Sequence, residues 1–167
     1  MQEEKNRKTY DNLAAIDILH QVSAMYSGTK HPHDYGTGGA YTSTETHLLK
    51  CIADHPGITV TELAYNYAKT KGAISQVIKG LIQKGLIEQR PDDGRNNRIL
   101  LYSTPQGDAL NAAHIAYDEE HAGETLNFVR EQFTQQEIDI AFSVLECWLV
   151  NRRFVHQHRR EQRRRKE

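Results

Sequence analysis

Between Thr9 and Tyr26 the apolar residues Tyr10, Leu13, Ala14, Ile16, Leu19, Val22 and Met25 recur at three- and four-residue spacing, the period of a helix with one apolar face. Ile18 falls outside that stripe, so the face is broad and predicts contact on two sides. Gly28 ends the pattern. Residues 28–40, GTKHPHDYGTGGA, hold four glycines and a proline and read as a loop.

Three short helices are predicted next. Thr42-Ser43-Thr44-Glu45 is a capping box, in which hydroxyl and carboxylate satisfy each other's free backbone donors at a helix start. Leu48, Leu49, Ile52 and Ala53 follow as its buried face, and Pro56-Gly57 stops it. A second box, Thr59-Val60-Thr61-Glu62, opens a helix that turns Leu63, Ala64, Tyr67 and Ala68 inward. Thr70 caps a third, predicted over 71–84, with Ala73, Ile74, Val77, Ile78, Leu81 and Ile82 inward and Lys84-Gly85 as its stop.

Beyond Gly85 the period changes. Residues 86–90 and 98–103 are strand-like runs around Pro91-Asp92-Asp93-Gly94, the signature of a β-hairpin. Thr104 with Pro105 at the first helical position restarts a helix predicted to about Phe133. A last helix begins near Thr134, with Ile138, Ala141, Phe142, Leu145, Trp148, Leu149, Arg152 and Val155 on one face. The expected fold is mainly α with a small β-hairpin wing (α+β). We divide it into an N-terminal dimerisation helix and loop (1–40), a winged helix-turn-helix (41–103), and C-terminal dimerisation helices with a basic tail (104–167).

The chain's 167 residues allow one well-packed domain, or a small domain flanked by helices that need a partner. No run approaches the roughly 18–20 apolar residues of a membrane span, and MQEEKNRK lacks a signal peptide's apolar core. A cytoplasmic protein with no membrane partner is expected. Cys51 and Cys147 both sit in apolar helical patterns and read as buried thiols.

The net charge of −1 hides a segregation. Residues 61–103 carry seven Lys/Arg against four acids, 104–151 carry nine acids against Arg130 alone, and 152–167 carry eight basic residues against two acids. A phosphate-binding surface is therefore expected in the middle of the chain and at the far end of the sequence. The run from Arg159 to Lys166 reads first as a solvated helix end favoured by the helix dipole, with DNA contact as the alternative.

Helix, turn, helix, hairpin is the order that lets one helix enter a DNA major groove while a β-wing reaches along the backbone. Opposite its core stripe the third helix shows Lys71, Ser75, Gln76, Lys79 and Gln83. Lysines meet phosphates, while Ser and Gln hydrogen-bond base edges. Arg95 lies at the hairpin tip beside Asp93; that carboxylate can hold the guanidinium extended toward a narrow minor groove. Thr59, Thr61, Thr70, Arg90 and Arg98 complete the expected contact set. A protein-binding winged helix would expose an apolar third helix, and a metallohydrolase would need a close ligand pair beside a base, such as His-Glu-x-x-His; the chain has neither. No catalytic residues are expected.

The segments Ile58-Thr59-Val60-Thr61-Glu62-Leu63-Ala64, Lys71-Gly72-Ala73-Ile74-Ser75-Gln76-Val77-Ile78 and Leu81-Ile82-Gln83-Lys84-Gly85-Leu86-Ile87-Glu88 closely resemble the reading head of the multiple-antibiotic-resistance regulator (MarR) family. So do Asp93-Gly94-Arg95 and Thr104-Pro105-Gln106-Gly107. The likeness is strongest over residues 43–107. It implies a homodimer whose first and last helices interlock, and a repressor reading double-stranded DNA. Wings of that family usually place the threonine seven residues after the arginine; here Arg95 to Thr104 is nine, which implies a longer hairpin in which Arg98 could share the tip role.

Pairing two copies would bury the apolar stripes of the terminal helices, with Leu13, Ile16, Leu19, Leu145, Trp148 and Leu149 as the expected interface. The chain also has nine histidines. His114 and His121 are two turns apart, roughly 10 Å, too far to clasp one ion directly. Asp118 with His121, joined by His47 and a loop residue, could make a tetrahedral zinc site. Zinc-responsive relatives draw ligands from comparable positions, which His47 and His121 resemble. Surface and interface histidines are the plainer reading. An organic effector in a cleft lined by Tyr26, Tyr35, Tyr41 and Trp148 competes with both.

Overall fold

The computed structural model describes residues 9–27, 31–92 and 98–164, with backbone alone for Tyr26, Ser27, Arg152 and 154–164. Six helices and two small hairpins occupy this span, in the order α1 (Asn12–Ser27), β1 (His33–Asp34), β2 (Ala40–Tyr41), α2 (Ser43–Asp54), α3 (Val60–Asn66), α4 (Lys71–Gln83), β3 (Ile87–Pro91), β4 (Ile99–Ser103), α5 (Pro105–Gln132) and α6 (Gln135–Arg164). This is the expected mainly helical winged helix-turn-helix.

Both capping boxes form. The Thr42 hydroxyl accepts from the Glu45 N–H at 3.3 Å and the Glu45 carboxylate accepts from the Thr42 N–H at 2.9 Å. Thr59 and Glu62 repeat the arrangement at 3.3 and 2.8 Å, and Thr134 and Glu137 make a third at the head of α6. Each box satisfies backbone donors that a helix start leaves open.

The core sits where α2, α3, α4, the wing and the first turns of α5 meet. Leu48, Leu49, Ile52, Leu63, Leu81, Leu86 and Leu101 are fully buried there, with Ile74, Ile78 and Leu110 beside them. Ala73, expected inward, is exposed in the first turn of α4, its N–H held by the Thr70 hydroxyl at 3.1 Å. β3 and β4 pair antiparallel from Ile87↔Ser103 to Pro91↔Ile99, so the hairpin extends one residue further than 86–90 suggested. Ile58 adds a bridge to Leu101, tying the start of the α3 region to the wing.

Two glycines make this junction. Gly85, at φ +71°, turns the chain after α4 in the left-handed region. At Gly107 a Cβ would lie 2.0 Å from the Leu86 carbonyl oxygen, so only glycine lets α5 approach the strand this closely. Thr104 secures the contact: its hydroxyl donates to the Gly85 carbonyl at 2.6 Å and accepts from the Gly107 N–H at 3.1 Å.

The glycine-rich loop differs from expectation. His33↔Tyr41 and Asp34↔Ala40 pair as a small antiparallel ribbon, and the Asp34 carboxylate accepts from the Gly36 N–H at 2.8 Å. Cys51 is half-buried and Cys147 exposed, both free thiols; Cys147 misses the expected burial because α6 packs on few of its sides in a single chain. Among the described residues no helix is long and apolar enough to cross a membrane.

Candidate nucleic-acid interface

α4 divides cleanly. Ile74, Ile78 and Leu81 are buried and Val77 and Ile82 half-buried, while Lys71, Ser75, Gln76, Lys79 and Gln83 all stand exposed on the other side. The helix-turn-helix reversal runs through Ala68, at φ 50°, a left-handed conformation that L side chains rarely take. Thr59 and Thr70 are the N-caps of α3 and α4, so each hydroxyl already has a backbone partner. Thr61 is exposed in the first turn of α3.

The far end of α4 is anchored by charge. Lys84 Nζ lies 2.6 Å from the Glu45 carboxylate and 4.9 Å from the centre of the Tyr41 ring. Burial alone would raise the Glu45 carboxyl, but Lys84 and the Thr42 hydrogen bonds overcome it and hold the group below its ordinary value. The anchor ties α4 to the start of α2.

On the wing, Arg90 pairs with Glu88 and its guanidinium lies 4.5 Å from the centre of the Tyr102 ring. Arg98 lies 3.5 Å from Glu62 and 3.8 Å from Asp92, at the base of the tip and turned toward α3. Asp93 and Arg95 lie outside the described residues.

The dimer candidates split between two helices. Leu13 is 74% and Leu149 55% exposed, with Ile16, Leu145 and Trp148 also exposed and Leu19 half-buried.

The histidines gather differently from the expected set. His47, His114 and Asp118 each offer one ligand atom, all within 4.8 Å of one another. His121 stays outside: its ring stacks on Tyr117 at 3.8 Å and its Nδ1 lies 2.8 Å from the Tyr117 carbonyl oxygen. The cause is axial. His47 on α2 faces α5 at the level of His114, ring centres 4.9 Å apart, and His121 lies seven residues further along, about 10 Å of helix rise. His33 packs on Tyr117 and Tyr35.

His114 is 1% exposed. Its Nε2 lies 3.2 Å from the Asp118 carboxylate, while Nδ1 has no hydrogen-bond partner. Burial pushes this imidazole below its ordinary range, against the opposing pull of Asp118, so the ring is neutral near pH 7. Sequence reasoning set His114 aside in favour of His121, although Leu110, His114 and Asp118 at four-residue spacing mark one face of α5.

The residues expected to line an aromatic cleft have different surroundings in the single chain. Tyr41 is in the core, Tyr35 belongs to the histidine cluster, Trp148 is exposed on α6, and the Tyr26 side chain lies outside the described residues. A cleft of about 270 Å³ opens instead beside His47, lined by Ser43, Thr44, Leu48, Tyr67, Lys69 and Ile74. The Tyr67 hydroxyl donates to the His47 carbonyl at 2.7 Å.

Residues 41–97 match the MarR family. YhjH, an HTH-type transcriptional regulator of Bacillus subtilis (strain 168), is 27% identical over 105 residues, covering 63% of this chain and 59% of that relative. A MarR-family regulator from Listeria monocytogenes, crystallised with 26mer DNA, superposes with a TM-score of 0.67 at 18% identity, over 92% of this chain and 96% of that one. ZitR of Lactococcus lactis, a zinc-responsive MarR family member, superposes with a TM-score of 0.57 at 18% identity, over 82% and 96% of the two chains. At these identities the two structures establish a shared fold. Residues 41–97 of the chain thus form a domain that matches the MarR family.

Proposed function

We propose that the chain is a homodimeric DNA-binding transcriptional regulator, a repressor and not an enzyme, that reads a pseudo-palindromic operator and answers to an effector. α4 (71–84 with its cap) enters the major groove and the wing at 91–98 the minor groove. The observation that carries this is the exposed face of α4, where Lys71, Ser75, Gln76 and Lys79 stand clear of the buried Ile74, Ile78 and Leu81. Ser75 and Gln76 read base edges, Lys71 and Lys79 meet phosphates, and Arg95 supplies the minor-groove contact. Thr59, Thr61, Thr70, Arg90, Asp93 and Arg98 act from the helix starts and the wing. Arg98, already between Glu62 and Asp92, steadies the wing against α3, which leaves the tip role to Arg95. Incubating the purified protein with genomic fragments and sequencing those retained tests the reading. An inverted repeat with half-sites about one DNA turn apart supports it, and no enrichment refutes it.

The His47, His114 and Asp118 cluster favours a second reading, in which the effector is zinc. Two imidazoles and a carboxylate fit three positions of a tetrahedral zinc, and the buried, unpartnered Nδ1 of His114 shows a ring whose polar capacity the protein alone leaves unmet. Zinc would supply a cross-link between α2 of the reading head and α5. By linkage it could change DNA affinity only as far as DNA changes zinc affinity, commonly about 1–3 kcal/mol. Titrating operator binding with zinc, for wild type and His114→Ala, decides the matter. Equal wild-type affinity with and without zinc leaves an organic effector, for which the cleft beside His47 is the candidate site.

A further inference from the structure

α6 ends in a strongly basic stretch. Its apolar positions run to Phe154 and Val155, and residues 152–164 carry Arg152, Arg153, Arg159, Arg160, Arg163 and Arg164 against Glu161 as the one acid, net +5 with histidines neutral. The preceding residues 104–151 are net −8. The helix dipole accounts for cations in a last turn only, whereas these arginines span more than three turns.

The backbone places the stretch. α5 leaves the head over 28 residues and α6 follows with 30. About 27 Å along α6, the Arg153 Nε donates to the Asn66 carbonyl at 2.9 Å. Asn66 is the last residue of α3, and Lys71, the first of α4, follows four residues after Tyr67. α6 therefore returns to the head at the turn that feeds the DNA-facing start of α4. Residues 154–164 remain helical beyond that point and extend about 16 Å past it.

We propose that residues 152–164 of each protomer form a second DNA contact, a basic helical arm that lies along the sugar-phosphate backbone flanking each half-site and reads no bases. Sixteen ångströms matches about four to five phosphates along one strand, at about 3.4 Å each. An arm whose cationic side chains, histidines aside, are all arginine suits phosphate, which the guanidinium fork binds through two parallel hydrogen bonds. The inference rests on the DNA-reading function proposed above.

The test is a quadruple variant, Arg159→Gln, Arg160→Gln, Arg163→Gln and Arg164→Gln, titrated with the selected operator from about 50 to 300 mM salt. For every phosphate that the variant no longer neutralises, the slope of log K against log salt should flatten by about 0.9, so one phosphate per protomer already gives about 2 for the dimer. Footprints should shrink at both outer edges, while the preferred base sequence and the sedimentation coefficient stay as in wild type. Replacing the same four residues with Lys should restore the slope. Slopes and footprints equal to wild type overturn the proposal. So does loss of binding to phosphatidylglycerol vesicles with an unchanged DNA slope, which assigns the arm to a membrane surface. If wild type selects no DNA at all, the parent reading has failed instead.

Discussion

The reading head and the terminal helices obey different rules. In the head, fourteen hydrophobic residues form one closed cluster, every helix start is capped, and glycines sit where backbones touch. In α1 and α6 most of the described apolar residues are laid open, with Met25 at 77% exposure and Phe142, Val144 and Val150 also exposed, while Ile138 is buried. A monomer rarely leaves so large an apolar area in water. The head completes its own core, whereas α1 and α6 leave apolar stripes uncovered, the face proposed to pair with a second copy. The division would suit the proposed two-site reader, in which the heads make the DNA contacts and the arms set the spacing between them.

The contrast can be broken most forcefully inside the head. Gly107→Ala puts a methyl group against the Leu86 carbonyl oxygen and should cost about 3 kcal/mol or more, read as a lowered denaturation midpoint. A midpoint within error of wild type would mean that α5 can move away from the strand at little cost. Next comes the arm. Leu145→Asp with Leu149→Asp should split the dimer at a cost of several kcal/mol, by placing charges where no counter-charge is expected. Sedimentation of that variant as an intact dimer removes the proposed interface.

Smaller effects sharpen the boundary between core and contact. Arg95→Ala should weaken operator binding by about 1–3 kcal/mol and leave melting untouched. Unchanged affinity, with Arg98→Ala damaging instead, would transfer the tip role to Arg98. Glu45→Gln should have the least effect, at most about 1 kcal/mol, since Lys84 is partly exposed. Because the folded state holds Glu45 below its ordinary value, its contribution is present at neutral pH. It fades as pH falls below the unfolded value of about 4.3 and through the lower folded one. The difference between wild type and Glu45→Gln should therefore shrink in acid, and a constant difference from pH 7 to 3 would contradict the anchor.

What could be read from sequence was local. The capping boxes, the α4 stripe, the stop at Gly85 and the Thr104-Pro105 restart each depend on residues three or four apart, so their positions were legible within a residue or two. The β1–β2 ribbon was not, because two residue pairs among glycines leave no periodicity. Contacts between distant segments were also hidden. Glu45 meets Lys84 across 39 positions and Arg153 meets Asn66 across 87. His114 was passed over because the level at which α2 crosses α5 decides which histidine faces His47. The exposed face of α4 was legible, since burying Ile74, Ile78 and Leu81 leaves Gln76 and Lys79 no other side.

That face is the centre of the account, and parallel DNA selection by wild type, Gln76→Ala and Lys79→Ala tests it most directly. The account predicts that wild type enriches an inverted repeat, that Gln76→Ala shifts the preferred bases within each half-site, and that Lys79→Ala weakens all sequences alike with a flatter salt slope. Identical base preferences for wild type and Gln76→Ala, with preference altered by Lys79→Ala, would contradict it.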